Sequence, residues 1–179
     1  MSGTYDVVLL VEQALTVADA RQVLSLHEEL DDPVVYHVLL PLEDAAARIE
    51  ASMGGLSGGE LMGNPTIGMQ EADIEAVRKD SQEQSDDELS ATLAALREAG
   101  GTADGKVVGD DPIEALSAEV SAVDGREAII LTRSHVVSEF FHLDWTSRAR
   151  RKIGVPVLHL LEHENFDEQA GGGEGVSII

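Results

Sequence analysis

Short apolar runs alternate with helical segments along the carboxyl-terminal part of the chain, and this alternation constrains the fold most. One run ends at Val108, a helix is predicted from Asp111 to about Val123, and further apolar runs cover residues 127–131 and 155–161. Strands and helices of these lengths in alternation predict a parallel sheet covered by helices. Ligands of such sheets bind beyond the carboxyl ends of the strands.

The amino-terminal half continues the pattern. Residues 5–11 form a near-continuous apolar run, which is typical of a central strand buried on both faces. Thr16 is predicted to cap a helix with Asp19 as its capping-box partner, and the helical spacing continues to Leu30. A second strand is predicted over residues 33–40. The chain therefore begins with a strand, a helix and a second strand of the same sheet.

The segment between the second and third strands is the least regular. After a predicted helix over residues 43–53, glycines and prolines break every pattern, so residues 54–84 are interpreted as an irregular insertion. Such an insertion is either disordered or an interaction loop, with a lid as the alternative. Ser85 and Glu88 form a capping box that predicts a helix start, and Gly100 is expected to end that helix.

The length of 179 residues favours one domain, placed at residues 1–163. Residues 164–179 lack apolar periodicity and are predicted to be a disordered, acidic, glycine-rich tail. The chain contains no cysteine, which excludes disulfides and thiolate metal sites and is compatible with the cytoplasm. No apolar run is long enough to span a membrane and no basic leader is present, so we expect a soluble cytoplasmic protein.

The chain is strongly acidic, with 34 acids against 12 bases and a formal net charge of −22. This charge repels the phosphates of nucleic acids and anionic membrane surfaces, so neither is expected as a partner. Solubility alone also explains such acidity, and the charge therefore says little about function.

Four segments together resemble the universal stress protein family. They are Asp6-Val-Val-Leu-Leu-Val, Gly109-Asp-Asp-Pro-Ile, Ile129-Ile-Leu-Thr-Arg-Ser-His and Val155-Pro-Val-Leu-His-Leu. The resemblance covers most of the chain except residues 53–85. It implies a Rossmann-like α/β fold of the adenine nucleotide alpha hydrolase type: a five-stranded parallel sheet with helices on both faces and the first strand at its centre. It also implies a stress-response function and a homodimer that pairs through the last strand.

Many members of this family bind ATP through a glycine-rich loop after the fourth strand. Glycines there let backbone N–H groups reach phosphate oxygens. The segment from Thr132 to Ser147 contains no glycine, so we expect ATP binding to be lost or altered in this chain. By resemblance, Glu12 is the nearest match to the acid that contacts the nucleoside, and Thr146 and Ser147 retain the hydroxyl position.

Further polar residues fall at the predicted carboxyl edge of the sheet. Gly109 follows the third strand, while Arg133 and Ser134 follow the fourth and are predicted to face Thr146 and Ser147 across a cleft. These residues predict a site for a small anionic ligand. A cluster of four bases comes next: Arg148, Arg150, Arg151 and Lys152. These bases either add to the site or complement a helix dipole and cover apolar surface.

No catalytic constellation is recognisable in the sequence. It contains no nucleophile elbow, Walker loop or dinucleotide fingerprint, and its histidine spacings lack a metal signature. We therefore predict no catalytic residue, no metal site and no resident cofactor, with ATP or another nucleotide as the open alternative. The leading hypothesis is a regulatory binding module rather than an enzyme. The competing hypothesis is a small α/β enzyme that acts on a phosphorylated metabolite in the same cleft.

Overall fold

Five parallel strands form the centre of the molecule. The computed structural model describes residues 3–42, 71–109, 111–132 and 151–161. The strands are β1 (Tyr5–Val11), β2 (Val34–Pro41), β3 (Thr102–Val108), β4 (Glu127–Thr132) and β5 (Val157–Leu161), and they lie in the order β3-β2-β1-β4-β5. The helices between them are α1 (Val17–Ser25), α2 (Glu71–Glu98) and α3 (Pro112–Ala122). Residues 151–153 are also helical.

The central strand β1 is buried on both faces of the sheet. Val7 and Leu9 belong to a core cluster that includes residues of α1 and α2, whereas Val8 and Leu10 belong to a second cluster that includes residues of α3. Because neither face of β1 meets water, the sequence is apolar at successive positions rather than at alternate ones. The predicted α/β fold, with helices on both faces and the first strand in the middle, is confirmed.

Several predicted helix boundaries are confirmed by cap geometry. The Thr16 hydroxyl accepts a hydrogen bond from the backbone N–H of Asp19, whose carboxylate accepts from the backbone N–H of Thr16 at 3.0 Å. Asp111 caps α3, and Pro112 occupies the first helical position, where no N–H is needed. Gly100 follows the end of α2 with φ of 101°, the left-handed conformation that glycine adopts without strain.

Helix α1 ends at Ser25, so the prediction that it continues to Leu30 is wrong. Beyond Leu26 the chain turns tightly, with hydrogen bonds from His27 N–H to Leu24 O and from Leu30 N–H to His27 O. This turn leaves Leu30 41% exposed and buries His27. Burial of one imidazole therefore overrides the helical spacing of the sequence.

Helix α2 begins at Glu71, so the prediction of irregular structure over residues 54–84 is wrong for residues 71–84. Ser85 lies inside this helix and is not its cap. The buried face of α2 includes residues at helical spacing: Ser81, Ser85, Thr92 and Leu96. Three of these side chains are hydroxyl-bearing rather than apolar, and a search for apolar periodicity does not detect such a face.

Strand β5 begins at Val157, two residues later than predicted. Pro156 has no N–H for the ladder, and it contributes only its carbonyl, which accepts from the backbone N–H of Ala128 at 2.9 Å. The helix predicted over residues 43–53, the glycine-rich part of the insertion and the tail at residues 164–179 lie outside the described residues and stay predictions.

Candidate functional site

The carboxyl edge of the sheet has its topological switch point between β1 and β4. The chain runs from β1 to β2 and β3 on one side, and then to β4 and β5 on the other. Ligands of open α/β sheets bind in the crevice that such a reversal leaves. Glu12 follows β1 here, and its backbone N–H donates to the Leu131 carbonyl of β4 at 3.2 Å. The half-buried Glu12 is thus fixed beside the end of β4.

Gly109 lies at the same edge but not beside Glu12. It follows β3, and β2 stands between β3 and β1. With strands about 4.8 Å apart, Gly109 and Glu12 are separated by roughly 10 Å along the edge. Gly109 is exposed, and a Cβ added there would meet no atom within 4 Å. The other predicted site residues, Arg133, Ser134, Thr146 and Ser147, lie outside the described residues, so their part of the site stays a prediction.

The amino terminus of α3 opens at this edge and is capped by its own carboxylate. Asp111 accepts hydrogen bonds from the backbone N–H groups of Ile113 at 2.9 Å and Glu114 at 3.3 Å. Glu114 adds negative charge to the first turn and pairs with Lys152. An anion gains little at a helix start whose N–H groups are already bonded. The ion pair with Glu114 gives Lys152 a structural role at the start of α3 and favours the alternative in which this base is not part of the ligand site.

Buried Thr132 and half-buried His159 form a hydrogen-bonded pair between β4 and β5. The Thr132 hydroxyl and His159 Nε2 are 2.8 Å apart. Burial lowers the pKa of His159, so at neutral pH its imidazole is uncharged. This pair therefore fixes the end of β4 against β5 without adding charge to the edge.

The opposite, amino edge of the sheet carries a network that the sequence analysis missed. His27 Nε2 lies 2.7 Å from Glu127 Oε1, and His27 Nδ1 lies 2.9 Å from the Tyr36 hydroxyl. The Tyr5 hydroxyl donates to the other oxygen of Glu127 at 3.2 Å. The imidazole also packs against both tyrosine rings, at centroid distances of 5.8 Å from Tyr5 and 5.6 Å from Tyr36. One histidine thus joins the amino ends of β2, β1 and β4.

Burial sets the charge state of these tyrosines. It raises the pKa of Tyr36, and the negative charge of Glu127 raises it further. Burial also raises the pKa of Tyr5, with additional contributions from the charge and hydrogen bond of Glu127. Both hydroxyls remain protonated at physiological pH. The network is therefore a set of fixed hydrogen bonds rather than an activated nucleophile.

A second histidine bridge lies on the other face of the sheet. His37 Nε2 contacts Asp6 Oδ1 at 2.8 Å, and His37 Nδ1 contacts Asp104 Oδ1 at 2.9 Å. Thr4 donates to the second oxygen of Asp6 at 2.6 Å. Asp6 and His37 interrupt two otherwise apolar strand segments of the sequence, and a search for polar residues inside such runs would have found them.

This bridge gives a pH dependence whose sign follows from its pKa values. Burial alone lowers the pKa of His37, but hydrogen bonds to Asp6 and Asp104 outweigh it and raise the pKa. Burial alone raises the pKa of Asp6, but the His37 and Thr4 hydrogen bonds outweigh it and lower the pKa. A raised histidine pKa stabilises the fold at low pH, and a lowered aspartate pKa stabilises it at high pH. Both contributions are present between about pH 4 and pH 6.5.

We therefore expect the His37→Gln variant to lose more stability at pH 5.5 than at pH 8.5, relative to the unmodified protein. The imidazolium that pairs with two carboxylates loses its charge as the pH rises, and its contribution to folding is lost with it. Urea denaturation at the two pH values measures the difference. An equal loss at both pH values would show that His37 contributes by packing and neutral hydrogen bonds alone.

Within the described residues, no group of three histidine or acidic side chains is arranged to hold a metal ion. No helix in that part of the chain is long and apolar enough to cross a membrane.

Comparisons with known proteins identify the fold. No family model matches the sequence, and no curated protein matches it. Among solved structures, the hypothetical protein MJ0577 is similar at a TM-score of 0.59 and 11% identity, covering 90% of this chain and 98% of that one. A universal stress protein family member from Burkholderia pseudomallei has a TM-score of 0.50 and 14% identity, covering 87% and 96%.

A third similar structure is the universal stress protein family protein At3g01520 from Arabidopsis thaliana, solved with AMP bound. Its TM-score is 0.50 and its identity 12%, covering 92% of this chain and 95% of that one. At such identities the likeness concerns the fold. The chain has the fold of universal stress proteins, and the fold that the sequence resemblance implied is confirmed.

Proposed function

We propose that this chain is a regulatory module that binds a nucleoside, or a nucleotide with few phosphates, at the switch point between β1 and β4. The observation that carries the proposal is the position of Glu12, fixed by its backbone bond to Leu131 at the crevice where such sheets bind ligands. A carboxylate is an acceptor for ribose hydroxyls. The fold shared with a protein solved with AMP bound supports the same reading.

Charge favours a ligand with few phosphates. Glu12 and Asp111 place two carboxylates at the described part of the carboxyl edge, and the whole chain has a net charge of −22. Like charges repel a triphosphate more strongly than a monophosphate or an uncharged nucleoside. The absence of glycine from Thr132 to Ser147 also removes the usual backbone cradle for phosphates. Both features support weak ATP binding.

Calorimetry with adenosine, AMP and ATP tests this proposal. We expect adenosine or AMP to bind at least about tenfold more tightly than ATP, a difference of about 1.4 kcal/mol. The Glu12→Gln variant should weaken the tighter ligand by about 10- to 100-fold, since a hydrogen bond to a charged group contributes about 1.5 to 3 kcal/mol. Glu29→Gln, a change at an exposed glutamate after α1, is the matched control. Micromolar ATP affinity, or no binding of any of the three ligands, would contradict the proposal.

The module is proposed to be non-enzymatic and cytoplasmic. The competing hypothesis, an enzyme for a phosphorylated metabolite, depends on Arg133, Ser134, Thr146 and Ser147. Incubation of the protein with AMP and ATP, followed by chromatography, separates the two. Repeated turnover would favour the enzyme, and unchanged nucleotides after many hours agree with a binding module.

We also propose that the module is a homodimer paired through β5. This strand lies at one end of the sheet, and among the described strands it pairs only with β4. The backbone N–H of Ala128 bonds to the Pro156 carbonyl, so the alternation of a parallel ladder directs the N–H and C=O of Val157 away from β4. An exposed strand edge in a stable protein is usually covered or paired.

Side-chain burial changes how this interface is best tested. Leu160 is 1% exposed and belongs to the core, so a lysine there would unfold the protein instead of separating subunits. Val157→Pro removes one outward donor at the first position of β5, where proline is tolerated. We expect this variant to weaken the dimer in sedimentation experiments, with Val157→Thr as the control that keeps the N–H. An unmodified protein that is monomeric at tens of micromolar would exclude the interface.

A further inference from the structure

A cavity lies at the amino edge of the sheet, at the opposite end of the strands from the switch point. Its volume is about 590 Å³, within the range of about 300 to 1,000 Å³ that small-molecule sites occupy. The end of α1 and the turn after it, the start of β2, and the turn between α2 and β3 form its walls. This cavity shares no residue with the carboxyl edge.

Two buried side chains that line the cavity already have hydrogen-bond partners. His27 and Tyr36 line it, both are buried, and they bond to each other at 2.9 Å. Glu127 holds the other nitrogen of His27 at 2.7 Å. A ligand therefore meets a fixed surface whose polar atoms require no new partner. Pre-organised walls reduce the ordering cost of binding.

The walls combine apolar surface with two opposite charges. Leu24, Pro33 and Val34 supply the apolar part. Arg21 and Glu28 line the same cavity, and both are exposed. Neither side chain forms an ion pair or hydrogen bond within the described residues. The cavity thus offers one cation, one anion and an apolar wall to the same ligand.

We infer that this cavity binds a small zwitterion with an apolar side chain, which is the chemistry of an apolar α-amino acid. Its carboxylate would bind Arg21, its ammonium group Glu28, and its side chain the wall formed by Leu24, Pro33 and Val34. The net charge of −22 favours this class over a simple carboxylate, because a zwitterion carries no net charge for the protein to repel. The inference does not depend on the nucleotide site.

Titration with L-leucine, followed by amide NMR shifts of Gly100, Gly101 and Thr102, tests the inference. Two analogues isolate the charges: 4-methylpentanoate lacks the ammonium group, and isoamylamine lacks the carboxylate. We expect leucine to bind at least tenfold more tightly than either analogue. We also expect saturating AMP to leave leucine binding unchanged, because the two sites lie at opposite edges of the sheet.

Two variants test whether Arg21 and Glu28 bind the charged groups of leucine. Arg21→Gln and Glu28→Gln should each weaken leucine binding at least tenfold, whereas Arg78→Gln, at an exposed position of α2, and Glu29→Gln should leave it unchanged. Thermal unfolding of each variant verifies that it is folded. Equal binding of leucine and 4-methylpentanoate would overturn the zwitterion. Leucine binding that is unchanged by Arg21→Gln, or the absence of any amide shift at about 10 mM leucine, would show that leucine does not bind in this cavity.

Discussion

Replacing Glu127 by alanine is expected to lower the free energy of unfolding by about 2 to 4 kcal/mol. The change leaves His27 Nε2 and the Tyr5 hydroxyl without their acceptor at the amino edge. His27 is only 5% exposed, so water cannot fully replace the lost carboxylate. Glu127 itself is 23% exposed, which admits some water and keeps the loss below that of a fully buried pair. Urea denaturation measures the change in unfolding free energy, with the same m-value used for the variant and the unmodified protein.

Glu119→Ala is the matched control for this prediction. Glu119 is 15% exposed and pairs with Lys106, whose side chain is 58% exposed; water reaches this ion pair from the lysine side, and ion pairs that water reaches contribute about 0 to 1 kcal/mol. An equal loss of unfolding free energy in the two variants would show that the amino-edge network stabilises the protein no more than the Glu119–Lys106 ion pair does. Glu127→Gln should fall between them, because its amide oxygen still accepts one hydrogen bond.

Replacing Gly105 by alanine is expected to destabilise the protein by about 1 to 3 kcal/mol. Alanine normally stabilises a strand interior relative to glycine by about 0.5 to 1 kcal/mol. At this position, however, a Cβ would lie 2.7 Å from the Val38 carbonyl and 3.0 Å from Leu89 Cδ1. Val38 pairs with Gly105 in the sheet, so its backbone cannot move away without disturbing the β2–β3 ladder. Steric overlap therefore outweighs the entropic gain.

Gly109→Ala is the control that separates steric overlap of the new Cβ from the general effect of replacing glycine by alanine. A Cβ at Gly109 meets no atom within 4 Å, so thermal and urea unfolding should show a change below about 1 kcal/mol. If alanine at Gly105 proved neutral or stabilising, the close packing of α2 over β3 would have to be abandoned.

The sequence by itself determined the order of the elements and the position of β1. Because β1 is buried on both faces, its residues form a continuous apolar run, and this pattern is visible within a short stretch of sequence. The caps at Thr16 and Asp111 and the stop at Gly100 were also predictable, because each depends on residues within one helical turn. At the carboxyl edge, Glu12 came from the family resemblance; the structure shows its backbone bonded to β4, and its role in binding stays a prediction.

Only the tertiary structure decided the start of α2, the early end of α1 and the chemistry of the amino edge. Ser85 reads as a cap in sequence, yet it lies on the buried face of a helix that begins at Glu71. His27 and Glu127 are 100 positions apart, and no pattern within a short window links them. Parallel strands bring their amino ends together through long crossovers, so contacts at that edge are non-local. Local sequence therefore determined the elements, whereas the packing between them determined which polar side chains meet.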